Sequence, residues 1–200
     1  MEKPKSGRLL LRPQQHNAAA SVAYFYTALY TTQIGEFSIL LRADVAPLTC
    51  RYFLQNVECG ILNGTTFFRV LNDGNQPNRN PKIHIIQGGE KFLPTVRCDK
   101  LAMETTNITG LRHSQYSVSQ PRFAAGTAYP GFFVCLRDEP ELDFNGRRHP
   151  DKKGFSVFGR VTKGTDVVDA IYQQANEQPY LQNEIQITGV LLRALVDKAV

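Results

Sequence analysis

Two polar residues, Arg69 and Gln87, have the types and the spacing to act on one peptide group. Arg69 lies in the run Gly64-Thr-Thr-Phe-Phe-Arg-Val70, and Gln87 lies in the run Ile85-Ile-Gln-Gly-Gly89. Residues this far apart can occupy neighbouring strands and point into one pocket, where they would offer hydrogen-bond donors to two atoms of one peptide. Such an arrangement suits a reaction that twists a peptide bond, because twisting needs neither a nucleophile nor a base.

Each of the two residues also has an ordinary structural interpretation. Arg69 on its own could be a strand-face arginine that pairs with a carboxylate, and Gln87 could satisfy buried backbone groups. The elements around the pair therefore decide between a pocket and a plain strand surface.

The pattern of apolar residues predicts many short strands and two helices. Glu36–Arg42 alternates as one arm of a hairpin that begins near Tyr24, while Ala46–Val57 repeats at helical spacing with a proline in its first turn. The other predicted elements are the strands Thr66–Val70, Ile83–Gln87, Tyr116–Ser119, Phe132–Leu136, Phe155–Val161 and Ile185–Leu192, and the helix Thr165–Tyr172. This set indicates a mainly β fold, a closed antiparallel barrel with helical plugs.

The length and composition indicate one soluble globular domain. The 200 residues are 42% hydrophobic and 20% charged. We expect a flexible N-terminal extension over residues 1–23, the barrel domain over residues 24–193 and a C-terminal tail over residues 194–200. No apolar run reaches the roughly 18 residues of a membrane span, and no signal-type apolar region follows the charged start, so we expect a cytoplasmic protein without membrane contact.

Charge and cysteine usage argue against two classes of site. The net charge is +5, but the densest basic run, Arg147-Arg-His-Pro-Asp-Lys-Lys153, has no interleaved aromatic residues, so we do not expect nucleic-acid binding. The four cysteines form no CxxC pair and no histidine stands at ligand spacing. We therefore expect no metal site and free thiols in a reducing compartment.

Four segments in order resemble the cyclophilins, the cyclosporin-binding family of peptidyl-prolyl cis-trans isomerases. They are Asp44-Val-Ala-Pro47 with Phe53, the run Asn63–Val70, the run Ile86-Gln-Gly-Gly89, and a second half that contains Phe132-Phe133, Val157-Phe-Gly-Arg-Val161 and Asp166-Val-Val-Asp169. Each motif alone is weak, but together they cover roughly residues 25–192. The resemblance implies an eight-stranded closed antiparallel β-barrel capped by two α-helices.

The resemblance also implies roles for the pocket residues. Arg69 would be the catalytic arginine and Gln87 its neighbour, while Phe133 would form the floor of a proline pocket with Ile85 and Leu142 as walls. Three further substrate-binding positions depart from the family's usual residues: His84 stands for a Phe, Arg122 for an Asn and Phe155 for a His. Phe133 and Leu142 could instead be plain core residues, and His84 a half-buried strand residue.

The resemblance implies isomerisation of Xaa-Pro bonds in proteins or peptides, with no cofactor. Glu141 stands where the family carries a Trp associated with tight cyclosporin binding, so we expect weak cyclosporin binding. An alternative remains, in which the chain is a cyclophilin-like binding module within an assembly. The same groove, or the N-terminal arm or the loop 137–153, would then contact the protein partner.

Overall fold

The fold is built mainly from ten strands. The computed structural model describes residues 24–91 and 98–196, so the predicted N-terminal extension lies outside the described residues. The strands are β1 (Tyr24–Thr32), β2 (Glu36–Leu41), β3 (Thr66–Leu71), β4 (Ile85–Gly89), β5 (Asp99–Lys100), β6 (Ser117–Gln120), β7 (Thr127–Ala128), β8 (Gly131–Cys135), β9 (Ser156–Lys163) and β10 (Tyr180–Val196).

Eight of these strands close into a barrel in the order β1-β10-β3-β4-β8-β6-β9-β2, and the pairings are antiparallel. The predicted eight-stranded barrel is confirmed. The short strands β5 and β7 pair with each other in a separate two-stranded sheet, which the sequence did not indicate. Strand β10 is also longer than the predicted Ile185–Leu192.

The helices are α1 (Pro47–Glu58), α2 (Thr106–Thr109) and α3 (Thr165–Tyr172). The two long helices agree with the predicted helices, and α2 adds a single turn. Helix α1 has no capping hydrogen bond from its own N-cap side chain. Instead, the carboxylate of Glu104 accepts hydrogen bonds from the first backbone N–H groups, at 3.0 Å from Leu48 N and 2.8 Å from Thr49 N.

Apolar side chains form two clusters because neighbouring residues of a strand face opposite sides of the sheet. Ile86 and Phe132 belong to the main core inside the barrel, into which α1 and α3 also pack. Ile85 and Phe133 belong to a second cluster on the outer face. The remaining members of that outer cluster are Leu71, Ile83, Cys135 and Leu142, with Phe155 packed against it.

A β-bulge in β3 interrupts this alternation near Arg69. In β3, Phe67 and Arg69 are two residues apart, but their partners in β4, Gly88 and Gln87, are adjacent. Phe68 is therefore an extra residue in β3. Phe67 is part of the main core. A regular strand that buries Phe67 would also direct Arg69 into the barrel, whereas the bulge lets Arg69 face outward beside Gln87.

Three further observations complete the description of the fold. In residues 24–91 and 98–196, no helix has the length and apolar character needed to cross a membrane. In the same ranges, no group of three or more His, Cys, Asp or Glu residues is placed to hold a metal ion. All four cysteines are free thiols, two of them buried.

Candidate active site

A cleft of about 190 Å³ lies on the outer face of β3, β4 and β8. The cleft is lined by all the predicted site residues except His84, namely Arg69, Ile85, Gln87, Arg122, Phe133, Leu142 and Phe155. The strand register explains the core of this arrangement, because Arg69 pairs with Gln87 and Gln87 pairs with Phe133 across three adjacent strands.

Arg69 is held on two sides within the cleft. Its Nη1 donates a hydrogen bond to Gln87 Oε1 at 3.1 Å, and its Cζ lies 5.7 Å from the ring centroid of Tyr180. Burial lowers the pKa of Arg69, although a guanidinium remains charged at neutral pH. Its buried Nε has no acceptor among the described residues, so a bound peptide could provide one.

Tyr129 completes a chain of hydrogen bonds that the sequence did not predict. Gln87 Nε2 donates to the hydroxyl oxygen of Tyr129 at 2.6 Å, which leaves Gln87 Oε1 directed at Arg69. Burial raises the pKa of Tyr129 to about 12, so the phenol stays neutral. Gln87, which the sequence suggested as a donor to a peptide, is therefore placed to orient Arg69.

The apolar wall of the cleft is formed by Ile85, Phe133 and Leu142, which are all buried. Phe133 is supported from two directions. The ring of His113 stacks on it with centroids 6.0 Å apart, and Phe155 meets it edge-on at 5.5 Å. A flat, rigid aromatic floor of this kind suits an apolar ring such as that of proline.

A buried Asp–His–Ser arrangement lies behind the floor but does not form a nucleophilic site. His113 Nδ1 is 2.8 Å from Asp143 Oδ1, and His113 Nε2 is 3.0 Å from Ser119 Oγ. Ser119 is completely buried and does not line the cleft. Burial lowers the pKa of His113, so a neutral imidazole holds the floor in place, and no substrate can reach the serine.

Arg122 lines the cleft, but other groups already occupy its guanidinium. Its Nη1 and Nη2 donate to the two carboxylate oxygens of Asp151 at 2.9 and 2.8 Å, and its Nε donates to Gly154 O at 2.7 Å. Its Cζ also lies 5.1 Å from the ring centroid of Phe155. Through these contacts Arg122 holds the loop before β9 against the cleft.

His84, a predicted substrate-binding residue, is not among the residues that line the cleft. Its neighbours Ile83 and Ile85 both line the cleft, as expected where side chains alternate along an extended segment. Its Nδ1 lies 2.9 Å from Glu139 Oε1 and its Nε2 lies 3.2 Å from Asp73 Oδ2. His84 therefore links two loops behind the cleft.

Several lining residues were missed by reasoning from the sequence. Ile83 had a usable signal, since it stands two residues before Ile85 in the same alternating run. Tyr129, Arg79 and Arg148 had none, because they come from turns and loops whose spatial neighbours are not set by periodicity.

Comparisons with known proteins bear on the family and the fold of this chain. Residues 26–191 match the family model described as cyclophilin type peptidyl-prolyl cis-trans isomerase/CLD. The chain is 34% identical over 176 residues to peptidyl-prolyl cis-trans isomerase cyp18 of Streptomyces antibioticus, covering 82% of this chain and 99% of that protein. It is 27% identical to peptidyl-prolyl cis-trans isomerase B of Escherichia coli K12, covering 83% and 96%.

Among solved structures, a cyclophilin type peptidyl-prolyl cis-trans isomerase of Cryptosporidium parvum matches with a TM-score of 0.65 and 17% identity, over 84% of this chain and 98% of that chain. A second structure of that protein was obtained in the presence of the dipeptide Ala-Pro and matches with a TM-score of 0.64. At this identity the structural likeness bears on the fold.

Proposed function

The chain belongs to the cyclophilin-type peptidyl-prolyl cis-trans isomerases, and from that premise we propose how its cleft acts on Xaa-Pro bonds of peptides and proteins. The observation that carries the proposal is the hydrogen-bonded series Arg69–Gln87–Tyr129, which lies beside the apolar wall of Phe133 and Leu142 in a single cleft. One side of the cleft offers a fixed cation, and the other side offers a site for an apolar ring.

Rotation about a prolyl bond faces a barrier of about 18–20 kcal/mol because it breaks amide resonance. As the bond twists, the prolyl nitrogen becomes pyramidal and able to accept a hydrogen bond. Arg69 donates to that nitrogen and so stabilises the twisted state more than either planar state, which is the requirement for catalysis.

The other residues hold the reactants in place. Gln87 and Tyr129 fix the direction of the guanidinium, so that little reorganisation is needed when the bond twists. Ile85, Phe133 and Leu142 grip the proline ring, while the rest of the peptide rotates. No proton is transferred and no covalent intermediate forms.

Three further expectations, on cyclosporin, on an assembly partner and on location, are proposals. Glu141 is held by Arg147, with Oε1 2.6 Å from Nη2. An ion pair at the rim offers little to the apolar face of cyclosporin, so we expect weak binding of that compound. The role of the arm or of the loop 137–153 in contacting an assembly partner, and the cytoplasmic location, stay predictions. The family membership favours the enzyme over a pure binding module.

The test is proline-isomer exchange in a short Xaa-Pro peptide, followed by NMR with the full chain. Arg69→Ala should lower kcat/KM by about 100-fold or more, the typical effect of removing one donor to a transition state. Arg51 is an exposed arginine on α1, so Arg51→Ala is the matched control and should keep full activity.

Two results would count against the proposal at different levels. Absence of catalysed exchange by the unmodified chain at high concentration would refute isomerase activity. Full activity in the Arg69→Ala variant would refute the mechanism while leaving the activity in place.

A further inference from the structure

A group of arginines lies along the cleft beyond the proline wall. Arg79 and Arg148 line the cleft together with Arg69. Arg79 is exposed in the segment between β3 and β4, and Arg148 is half-buried in the loop before β9. Arg148 Nη1 donates to Pro81 O at 2.7 Å, and this hydrogen bond holds the two loops next to each other.

The strand directions show at which end of the cleft these arginines lie. Strand β3 ends at Leu71 and β4 begins at Ile85, so the segment with Arg79 joins the strands at that end. Strand β8 is antiparallel to β4 and begins at Gly131, shortly after Tyr129, at the opposite end. A peptide that crosses the cleft with its proline on Phe133 therefore has Tyr129 on one side and the arginines on the other.

The charges at this end have no counterion within residues 24–91 and 98–196. No Asp or Glu of these ranges lines the cleft, and no described carboxylate lies within ion-pair distance of Arg79 or Arg148. Arg122 differs, because Asp151 neutralises it. The uncompensated charges therefore belong to Arg69, Arg79 and Arg148.

The charges of Arg69 and Arg79 act on Arg148 in addition to its burial. Burial, and then the charges of Arg69 and Arg79, lower its pKa to about 10. Glu139 has the smallest influence on it and is itself bound by His84. An anion that enters this end of the cleft would relieve the repulsion.

We propose that Arg79 and Arg148 form a subsite for an anionic side chain next to the substrate proline, either a carboxylate or a phosphate monoester. The proposal rests on the proposed function, since it names the preferred substrates of the same cleft. Guanidinium groups suit both ligands because their planar donors bind two oxygens at once. A phosphate carries about −1.5 to −2 charges at pH 7 and should be preferred over a carboxylate.

The experiment compares five-residue capped peptides with a central proline, using NMR exchange and binding titrations with the full chain. The residue before the proline, or the residue after it, is Ala, Glu, Lys or phosphoserine. We expect kcat/KM to be about tenfold higher for Glu than for Ala at one of the two positions, higher still for phosphoserine and lowest for Lys. Raising the salt from about 0.05 M to about 0.5 M should reduce this advantage.

The double variant Arg79→Gln with Arg148→Gln should bring the ratio between anionic and neutral peptides close to one. Arg51 on α1 does not line the cleft, so Arg51→Gln removes a positive charge elsewhere and should leave the ratio unchanged. A preference for anionic peptides that persists in the double variant would overturn the assignment, as would equal rates and equal affinities for the Ala, Glu and phosphoserine peptides.

The binding titration keeps the subsite and the isomerase activity apart. Anionic peptides that bind more tightly through the two arginines, without catalysed exchange, would support the subsite and refute the proposed function. Catalysed exchange of every peptide without preference would do the reverse.

Discussion

Replacing Tyr129 with Phe removes a single oxygen from the cleft and keeps the aromatic ring. That oxygen accepts the hydrogen bond from Gln87 Nε2 at 2.6 Å, whereas the ring stacks on Phe123 with centroids 5.0 Å apart. The variant Tyr129→Phe therefore tests the hydrogen bond while retaining the packing.

The size of the effect follows from the burial of Gln87, which is only 5% exposed. A buried donor that loses its partner costs about 1–3 kcal/mol. Gln87 can recover this free energy only by rotating, which withdraws Oε1 from Arg69. If the cost falls on the transition state, kcat/KM drops by about 5-fold to 150-fold, since about 1.4 kcal/mol is a factor of ten.

The assay is a double-mutant cycle on kcat/KM and kcat, measured by isomer exchange for Tyr129→Phe, Gln87→Leu and the double variant. Because Tyr129 acts through Gln87, the double variant should be no slower than Gln87→Leu alone, and kcat should fall more than KM rises. The hydroxyl of Tyr116 donates to Asp169 at 3.0 Å outside the cleft lining, so Tyr116→Phe is the control and should retain activity.

Two outcomes would refute this reasoning. Independent, additive losses in the cycle would show that Tyr129 does not act through Gln87. Full activity of Tyr129→Phe, with an unchanged urea midpoint, would show that the orientation of Gln87 does not depend on the phenol.

Two further predictions concern the scaffold. Burial lowers the pKa of His113, so the unfolded state takes up a proton that the folded state excludes, and the unfolding free energy should fall as pH drops below about 6.5. In urea titrations at pH 8 and pH 5, His113→Asn should weaken this pH dependence. An unchanged pH dependence in the variant would contradict the assignment. Glu104→Ala leaves two N–H groups of α1 without acceptors and should reduce the unfolding free energy by about 1–3 kcal/mol. Glu177 is exposed, so Glu177→Ala is the control and should change the unfolding free energy by less than about 0.5 kcal/mol.

Strand alternation explains why much of the fold and the wall of the cleft could be predicted from the sequence. Ile85 and Gln87 stand two residues apart, so one strand necessarily directs both to one face. Phe133 follows from the adjacent core residue Phe132 in the same way. These relations depend only on distances along the chain.

The parts that could not be predicted depend on contacts between distant segments. The structural role of Arg122 in holding the loop before β9 could not be recognised, because its partner Asp151 lies in a loop without periodicity. Tyr129 reaches Gln87 from a turn. For His84 the sequence left two roles open, a substrate contact and a half-buried strand residue, because its neighbours Glu139 and Asp73 come from distant loops.

The separation of apolar residues into an inner and an outer cluster has a consequence for how such a protein can change over time. Ile86 and Phe132 fill the barrel, so a change there alters stability first. Ile85 and Phe133 lie one position away and line the cleft, where a change alters what is bound. New preferences can thus arise by exchanging alternate residues and loop arginines while the sequence that closes the barrel stays constant.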